Sequence, residues 1–279
     1  MTGNPAVRVR GLRKAYGPVT ALTDLDLDVA TGEVLALLGP NGAGKTSAVE
    51  ILEGHRDRDG GDVTVLGRDP RHVGLDWRAA IGIVPQHCAD LGELTVRESV
   101  RHFARYFPRP RDPDEAIELV GLTSKAGARV RALSGGQRRR LDVAIGVVGR
   151  PRLLFLDEPT TGFDPQARRR FWALIRSLTG HDGTTVLLTT HHLAEAEELA
   201  DRIVVIAAGR VVAEGEPATL GGRAGARSVV RWADGVRDTD DPAGLVAELT
   251  RRYGGPVPGL TVTRPSLEDV YLDLIGGHS

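Results

Sequence analysis

"EVLALLGPNGAGKTSAVEIL", residues 33–52, runs from a near-continuous apolar stretch through a glycine-rich loop into a helix-forming segment. "EVLALLG" has no polar face, which predicts a strand buried on both sides, the parallel type. Just upstream, Leu25, Leu27 and Val29 alternate with Asp24, Asp26 and Asp28, the period of a half-buried strand. The three aspartates read as its wet face, not as a metal cluster. Downstream, "TVRESVRHFARYF" predicts a helix opened by a capping box of Thr95 and Glu98 and stopped at Pro108. Val96, Val100, Phe103 and Phe107 share its apolar face, and residues 88–150 read as mostly helical. "RLLFLD" and "TTVLLTT" predict two further buried strands, and "RIVVIAAGRVVAEG" one that turns back at Ala208–Gly209. The fold class is therefore α/β around a parallel sheet. Beyond Gly221 the pattern weakens, and residues 221–279 read as a small appended domain ending in a short helix capped by Ser266.

"GPNGAGKT", residues 39–46, fits G-x-x-x-x-G-K-[ST] between strand and helix, the context a phosphate-binding loop needs. Glycines free successive N–H groups to wrap phosphate oxygens, and the helix dipole adds to the attraction. Lys45 reaches the outer phosphates as a point charge, and Thr46 offers a hydroxyl to Mg²⁺. "LLFLDEP" delivers Asp157 and Glu158 at a strand end. Neighbouring side chains on a strand point opposite ways, so the two carboxylates should do different work. Asp157 suits the metal shell, and Glu158 suits polarising an attacking water. Gln86 and His191 close two other apolar strands, where each can position water or contact a phosphate. Tyr16, at the end of the first strand, either stacks on a base or belongs to the core. His87, Cys88, His191 and His192 have no metal-ligand spacing, which argues against zinc.

"LSGGQ", residues 133–137, raises a separate question. Ser134 and Gln137 form a capping box, so a helix begins there with free N–H groups beside Gly135 and Gly136. That is a phosphate cup without a lysine. Arg138, Arg139 and Arg140 follow it, either adding positive field or forming a solvated basic face.

Composition narrows the classes. The chain has 279 residues, 41% hydrophobic and 26% charged, with net charge −1. It lacks the basic field of sequence-independent nucleic-acid binding. A single cysteine allows no intrachain disulfide, and no apolar run reaches the ~20 residues of a membrane span. The opening "MTGNPAVRVRGLRK" has no apolar signal core. A protein soluble by itself is expected. Only Lys14, Lys45 and Lys125 interrupt an all-arginine basic set, which singles out Lys45 as a position arginine serves poorly.

In this order, the motifs resemble those of the nucleotide-binding subunit of an ATP-binding-cassette (ABC) transporter, from residue 5 to about 215. By composition "LSGGQ" should arise by chance in roughly one chain in a few thousand, so it carries most of the specificity. The resemblance implies a P-loop NTPase cassette over residues 1–220. Such a cassette has a parallel-sheet core, an N-terminal antiparallel β subdomain and a helical subdomain at about 88–150. It implies adenine stacking on Tyr16 and an ATP cradle of Gly39, Pro40, Asn41, Gly42, Ala43, Gly44, Lys45, Thr46 and Ser47. Thr46, Gln86 and Asp157 become the Mg²⁺ set; Glu158, Gln86 and His191 become the catalytic set. Ser134, Gly135, Gly136 and Gln137 would close over ATP held by a second copy, in a head-to-tail homodimer. "DEPTTGFDP" matches the family's D-loop region, with Phe163 where leucine is commoner. A separate membrane permease at the cytoplasmic face of the cell membrane is implied as partner, with no nucleic acid. "LSGGQ" matches the family's signature, and this signature region and "PSLEDVYLDL" are further similar to drug and antibiotic exporter ATPases of the daunorubicin-resistance type.

Two rivals are weighed against that reading. A non-transport cassette ATPase acting on DNA or ribosomes would carry long coiled coils or a second cassette. Here Ser134 follows Lys45 by roughly 90 positions with no long heptad run between them. A regulatory module that binds ATP without turnover has no need of Glu158 together with His191.

Overall fold

The computed structural model describes residues 4–86, 91–225, 227–263 and 265–276. His87 and Cys88 lie outside the described residues. The chain opens with β1 (Val7–Tyr16) and β2 (Val19–Val29), then β3 (Val34–Leu38), α1 (Lys45–Leu52), β4 (Gly60–Val65), α2 (Leu75–Arg78) and β5 (Ile81–Val84). A helical run follows, α3 (Val96–Ala104), α4 (Pro113–Leu119) and α5 (Gly135–Val147). Strands and helices then alternate as β6 (Leu153–Asp157), α6 (Pro165–Asp182), β7 (Thr185–Thr189), α7 (Leu193–Leu199), β8 (Arg202–Ala207) and β9 (Arg210–Gly215). The tail adds β10 (Ser228–Trp232), β11 (Gly235–Thr239), α8 (Pro242–Tyr253), β12 (Thr261–Thr263) and α9 (Leu267–Gly276).

The central sheet runs β5-β6-β7-β3-β8-β9, parallel except for β9. All five residues of β3 are buried, as its apolar run requires. Its alternate residues enter two cores. Leu35 and Leu37 face a core shared with Val9, Leu25 and Ile51, under the antiparallel sheet β2-β1-β4. Val34, Ala36 and Leu38 face the other, shared with Val100, Val143 and Phe171 of the helical layer. The three aspartates of β2 stay wet: Asp28 pairs with Arg10 at 2.7 Å, Asp24 with Arg13 at 3.5 Å, and Asp26 accepts from the Gly11 N–H.

The capping box of α3 forms in both directions between Thr95 and Glu98. The helix ends at Ala104, short of Pro108, because the Tyr106 and Phe107 N–H groups tighten to i−3 carbonyls. At the hairpin between β8 and β9, Ala208 (φ 47°) and Gly209 (φ 73°) both take left-handed backbone, the geometry of a tight two-residue turn.

The tail holds more regular structure than its sequence pattern suggests. β11-β10-β12 form a three-stranded antiparallel sheet, with Val230 packed against Leu245 and Leu249 of α8 and Val257. α9 does not belong to that small core. Its Leu267 joins the large core under the central sheet, and the helix lies against α7.

Candidate functional site

Parallel strands deliver their carboxyl ends to one edge of the sheet, and loops collect there. The loop after β3, Asp157 and Glu158 after β6, Gln86 after β5 and His191 after β7 meet in a cavity of about 700 Å³. Asn41, Gly42, Ala43, Gly44, Lys45, Thr46 and Ser47 line one wall; Gln86, Asp157, Glu158 and His191 line the other. Gly39 and Pro40 sit behind the wall and contribute carbonyls. Lys45 Nζ donates to the Gly39 oxygen at 2.7 Å and the Pro40 oxygen at 3.0 Å. Burial lowers the Lys45 pKa, opposed by the charges of Glu158 and Asp157. Gly44 (φ 101°) needs glycine twice over: the conformation disfavours a side chain, and a Cβ would strike the Ala21 carbonyl oxygen.

Asp157 and Glu158 do not face opposite ways across the strand. Glu158 lies just past β6 with φ 45°, a left-handed turn, and both carboxylates line the same cavity. Their partners separate them instead. Asp157 Oδ1 accepts from the Thr189 hydroxyl. Glu158 Oε2 accepts from Gln86 Nε2 at 3.0 Å, while His191 Nδ1 stands 2.9 Å from Oε1. The carboxylate is thus held on both oxygens. His192 packs on His191 with ring centroids 4.1 Å apart, and burial lowers its pKa.

The oxygen chemistry of Thr46, Asp157 and Gln86 on one cavity fits a hard divalent cation such as Mg²⁺. Among the described residues no cluster of three or more His, Cys, Asp or Glu gathers elsewhere to hold a metal. Tyr16 is not a core residue. It is 39% exposed, with its hydroxyl 3.0 Å from Ser47 Oγ and the Lys14 and Arg56 cations over its ring at 5.4 and 5.1 Å. The ring therefore stands at the surface beside the loop, tied to it through Ser47 and accompanied by two cations.

Ser134, Gly135, Gly136 and Gln137 do not line the cavity of their own chain. They open α5 with the reciprocal capping box, Gln137 N–H to Ser134 Oγ at 3.3 Å and Ser134 N–H to Gln137 Oε1 at 3.1 Å. Ser134 and Gly135 are exposed. Phe163 is buried against Phe171 edge-to-face, centroids 5.9 Å apart, beneath Gly136.

A model of the ABC transporter family matches residues 22–161, half of the chain. Daunorubicin resistance ATP-binding protein DrrA3 of Streptomyces coeruleorubidus is 39% identical, over 97% of this chain and 96% of the relative. The chain belongs to the ABC transporter family. Nod factor export ATP-binding protein I of Bradyrhizobium diazoefficiens is 43% identical, over 78% of this chain and 72% of the relative. A solved ATP-binding subunit of an ABC transporter superposes with TM-score 0.73 at 23% identity, covering 96% of this chain and 99% of that one. A dimeric bacterial ABC transporter cassette gives 0.68 at 23% identity, over 75% and 98%. The fold is the P-loop ABC cassette, and the activity of this ABC transporter chain is ATP hydrolysis.

Two residues that sequence reasoning placed wrongly or passed over lie close to this ABC site. The three arginines after the signature are not one basic face. Arg138 is exposed, but Arg140 donates to the carbonyls of Val120 and Gly121, and Arg139 is buried. Helical spacing carried the signal, since Val143, Gly146 and Val147 fall at i+4, i+7 and i+8 from Arg139 and are all buried. Glu53, just past α1, has its carboxyl pushed up to about 8 by burial, with the Asp157 and Glu50 charges adding to the shift. No local pattern marks it, because its burial comes from distant segments.

Proposed function

We propose that this chain powers export of an amphipathic small molecule, of the drug or antibiotic kind, through a separate membrane permease at the cytoplasmic face. The single observation that carries the catalytic part is the carboxylate of Glu158, held by Gln86 and His191 at the mouth of the Lys45 loop. In this reading the loop N–H groups and Lys45 bind the β- and γ-phosphates, and Tyr16 stacks on adenine. Thr46, Asp157 and Gln86 hold Mg²⁺, which neutralises charge on the phosphate oxygens when bound. Glu158 accepts a proton from the water that attacks the γ-phosphorus, as the bond to the β–γ bridging oxygen breaks and ADP leaves. Gln86 and His191 keep the carboxylate aimed at that water. The substrate class rests on the names of the daunorubicin-resistance and Nod-factor-export relatives. Chemistry is assigned to residues 1–220, and residues 221–279 are assigned to tuning dimer or permease contacts, apart from α9, which packs on the large core.

Two copies pair head to tail, so that Ser134–Gln137 of one chain close over ATP on the other. The exposed cup outside its own chain's cavity supports this. Complementation tests it. One chain carries Lys45→Ala and the other Ser134→Arg, each with Glu158→Gln to stop turnover. Each variant alone builds two broken sites; mixed, they build one whole site, and ATP-dependent heterodimers are expected. A mixture that dimerises no better than either variant alone, beside Glu158→Gln chains that dimerise readily, overturns the shared site. Export is tested separately, by ATP-driven accumulation of an amphipathic drug in inside-out vesicles holding the chain and the permease encoded beside it. Accumulation that survives Glu158→Gln in this chain removes it as the motor.

A further inference from the structure

Arg139 sits on α5, five residues past the serine that opens the helix, and its side chain runs inward. Only 7% of the residue is exposed. Nε donates to the Pro159 carbonyl at 3.2 Å, Nη2 to the Asp157 carbonyl at 2.6 Å, and Nη1 to the Pro85 carbonyl. Asp142, one turn along the helix, brings a carboxylate oxygen to 4.0 Å of Nη1. One guanidinium therefore fastens to α5 two segments that are distant in sequence, the one at Pro85 and the one from Asp157 to Pro159.

Both segments lead directly into the site. Pro85 precedes Gln86, Asp157 precedes Glu158, and Pro159 follows Glu158 on the way to the D-loop. The carbonyls of both residues that flank Glu158 are thus held by the group that holds the peptide before Gln86. Glu158 needs such support, since its left-handed backbone is one a non-glycine residue adopts at a cost. A guanidinium offers its donors in a rigid plane, so the carbonyls it binds are fixed relative to one another. An ammonium, a single point on a flexible stem, cannot reproduce that spacing.

We propose that Arg139 is a positioning residue that sets the register of Gln86 and Glu158 for ATP hydrolysis in its own chain, although its helix presents Ser134 to the partner's nucleotide. The catalytic part rests on the assignment of Glu158 above, and the contrast between chains rests on the shared site. No atom of Arg139 need touch the nucleotide. Its charge faces protein carbonyls and the Asp142 carboxylate, so the role differs from drawing phosphate to the helix end.

The test begins with Arg139→Lys and Arg139→Gln in otherwise unchanged chains. Both keep a donor at the position, and a thermal melt with far-ultraviolet circular dichroism selects the one that folds as the parent does. The ATP dissociation constant should stay within about twofold, while kcat falls ~10–100-fold, as expected when reacting groups are misplaced by a fraction of an ångström or more. Parent kcat in the folded lysine variant overturns the proposal, because charge alone would then suffice. Loss of ATP affinity with kcat retained overturns it too.

The decisive step assigns the defect to a chain. In mixed dimers of Ser134→Arg with Lys45→Ala, both keeping Glu158, the one whole site takes its Lys45 loop and Glu158 from the Ser134→Arg chain. Adding Arg139→Lys to that chain should lower turnover as in the homodimer. Adding it to the Lys45→Ala chain, which lends only its signature, should leave turnover near the paired control. The reverse pattern places Arg139 in the partner's site and overturns the proposal. A paired control that neither dimerises nor turns over overturns the shared site instead. Arg139 is then decided by the split between kcat and affinity in the homodimer.

Discussion

His191 Nδ1 stands 2.9 Å from Glu158 Oε1, on the opposite side of the carboxylate from Gln86. With the carboxylate accepting, the ring nitrogen carries the proton, and the histidine is fixed in one orientation. Replacing Glu158 by glutamine keeps the shape but removes the proton acceptor. ATP binding should persist while turnover falls ~10²–10⁴-fold. His191→Ala leaves the carboxylate tethered on one oxygen only, and a smaller fall of ~10–100-fold is expected. Turnover and nucleotide affinity measured on both variants separate the roles. Equal losses would assign His191 more than an aiming role, and parent turnover in Glu158→Gln would remove that residue as the base.

Lys45 makes two hydrogen bonds to its own loop, to Gly39 and Pro40, and reaches the cavity from the first position of α1. Lys45→Ala should weaken ATP binding by the charge-assisted contacts it removes, ~1.5–3 kcal/mol, about ten- to hundredfold in dissociation constant. Lys45→Arg should recover only part of that affinity, since the planar fork does not fit a space shaped for an ammonium. Isothermal titration with ATP checks both. Full recovery in the arginine variant would show that charge, not shape, fixes this position.

The parts of this molecule that are local in the chain were legible in the sequence. The loop after β3, both capping boxes and the Ala208–Gly209 turn each depend on a few consecutive residues, and the structure has them. Bringing Gln86, Asp157, Glu158 and His191 to one cavity needed only the rule that parallel strands end together. Arg139 was not legible as a clamp, because helical spacing marks its inward face but the carbonyls it binds, at Pro85, Asp157 and Pro159, come from distant segments. Two adjacent carboxylates likewise gave no warning that Glu158 leaves the strand through a left-handed turn. The tail defeated periodicity for another reason. β11 reads "GVRDT", too short and too charged for its alternation to stand out.

Glu53 predicts a pH effect on stability in the nucleotide-free chain. Its carboxyl keeps its proton up to about 8 when folded, against 4.5 for an ordinary glutamate, because burial disfavours the charge. Between those values the folded state binds more protons than the unfolded, so stability falls as pH rises through that window. Glu53→Gln removes this titration. Its gain over the parent should be small near the lower limit and grow to roughly 3–5 kcal/mol at the upper. Urea midpoints across the window test the sign. A gain that is constant with pH would show that Glu53 ionises normally in the fold.

The last helix predicts a cost for truncation. Leu267 is 1% exposed in the large core, and α9 lies on α7, the helix that follows His191 and His192. Leu267→Ala should cost ~2–5 kcal/mol, as for other buried leucines. Removing residues after 221 should lower the melting temperature at least as much. Removing only residues 227–263 behind a short linker should spare most of it. Denaturation of the three forms distinguishes a tail that completes the core from one merely attached to it, the latter leaving all three alike.

The placing of β3 between β7 and β8 carries a consequence in time. The loop that grips phosphate is made early, yet both strands that flank it lie roughly 150 residues further along the chain. At ribosomal speeds of ~5–20 residues per second, that interval lasts about 7–30 s. Throughout it, five consecutive apolar residues stand with no sheet to join. The nascent chain therefore offers a sticky edge to chaperones and to its neighbours on the same messenger, and it commits to nucleotide only once its second half has emerged.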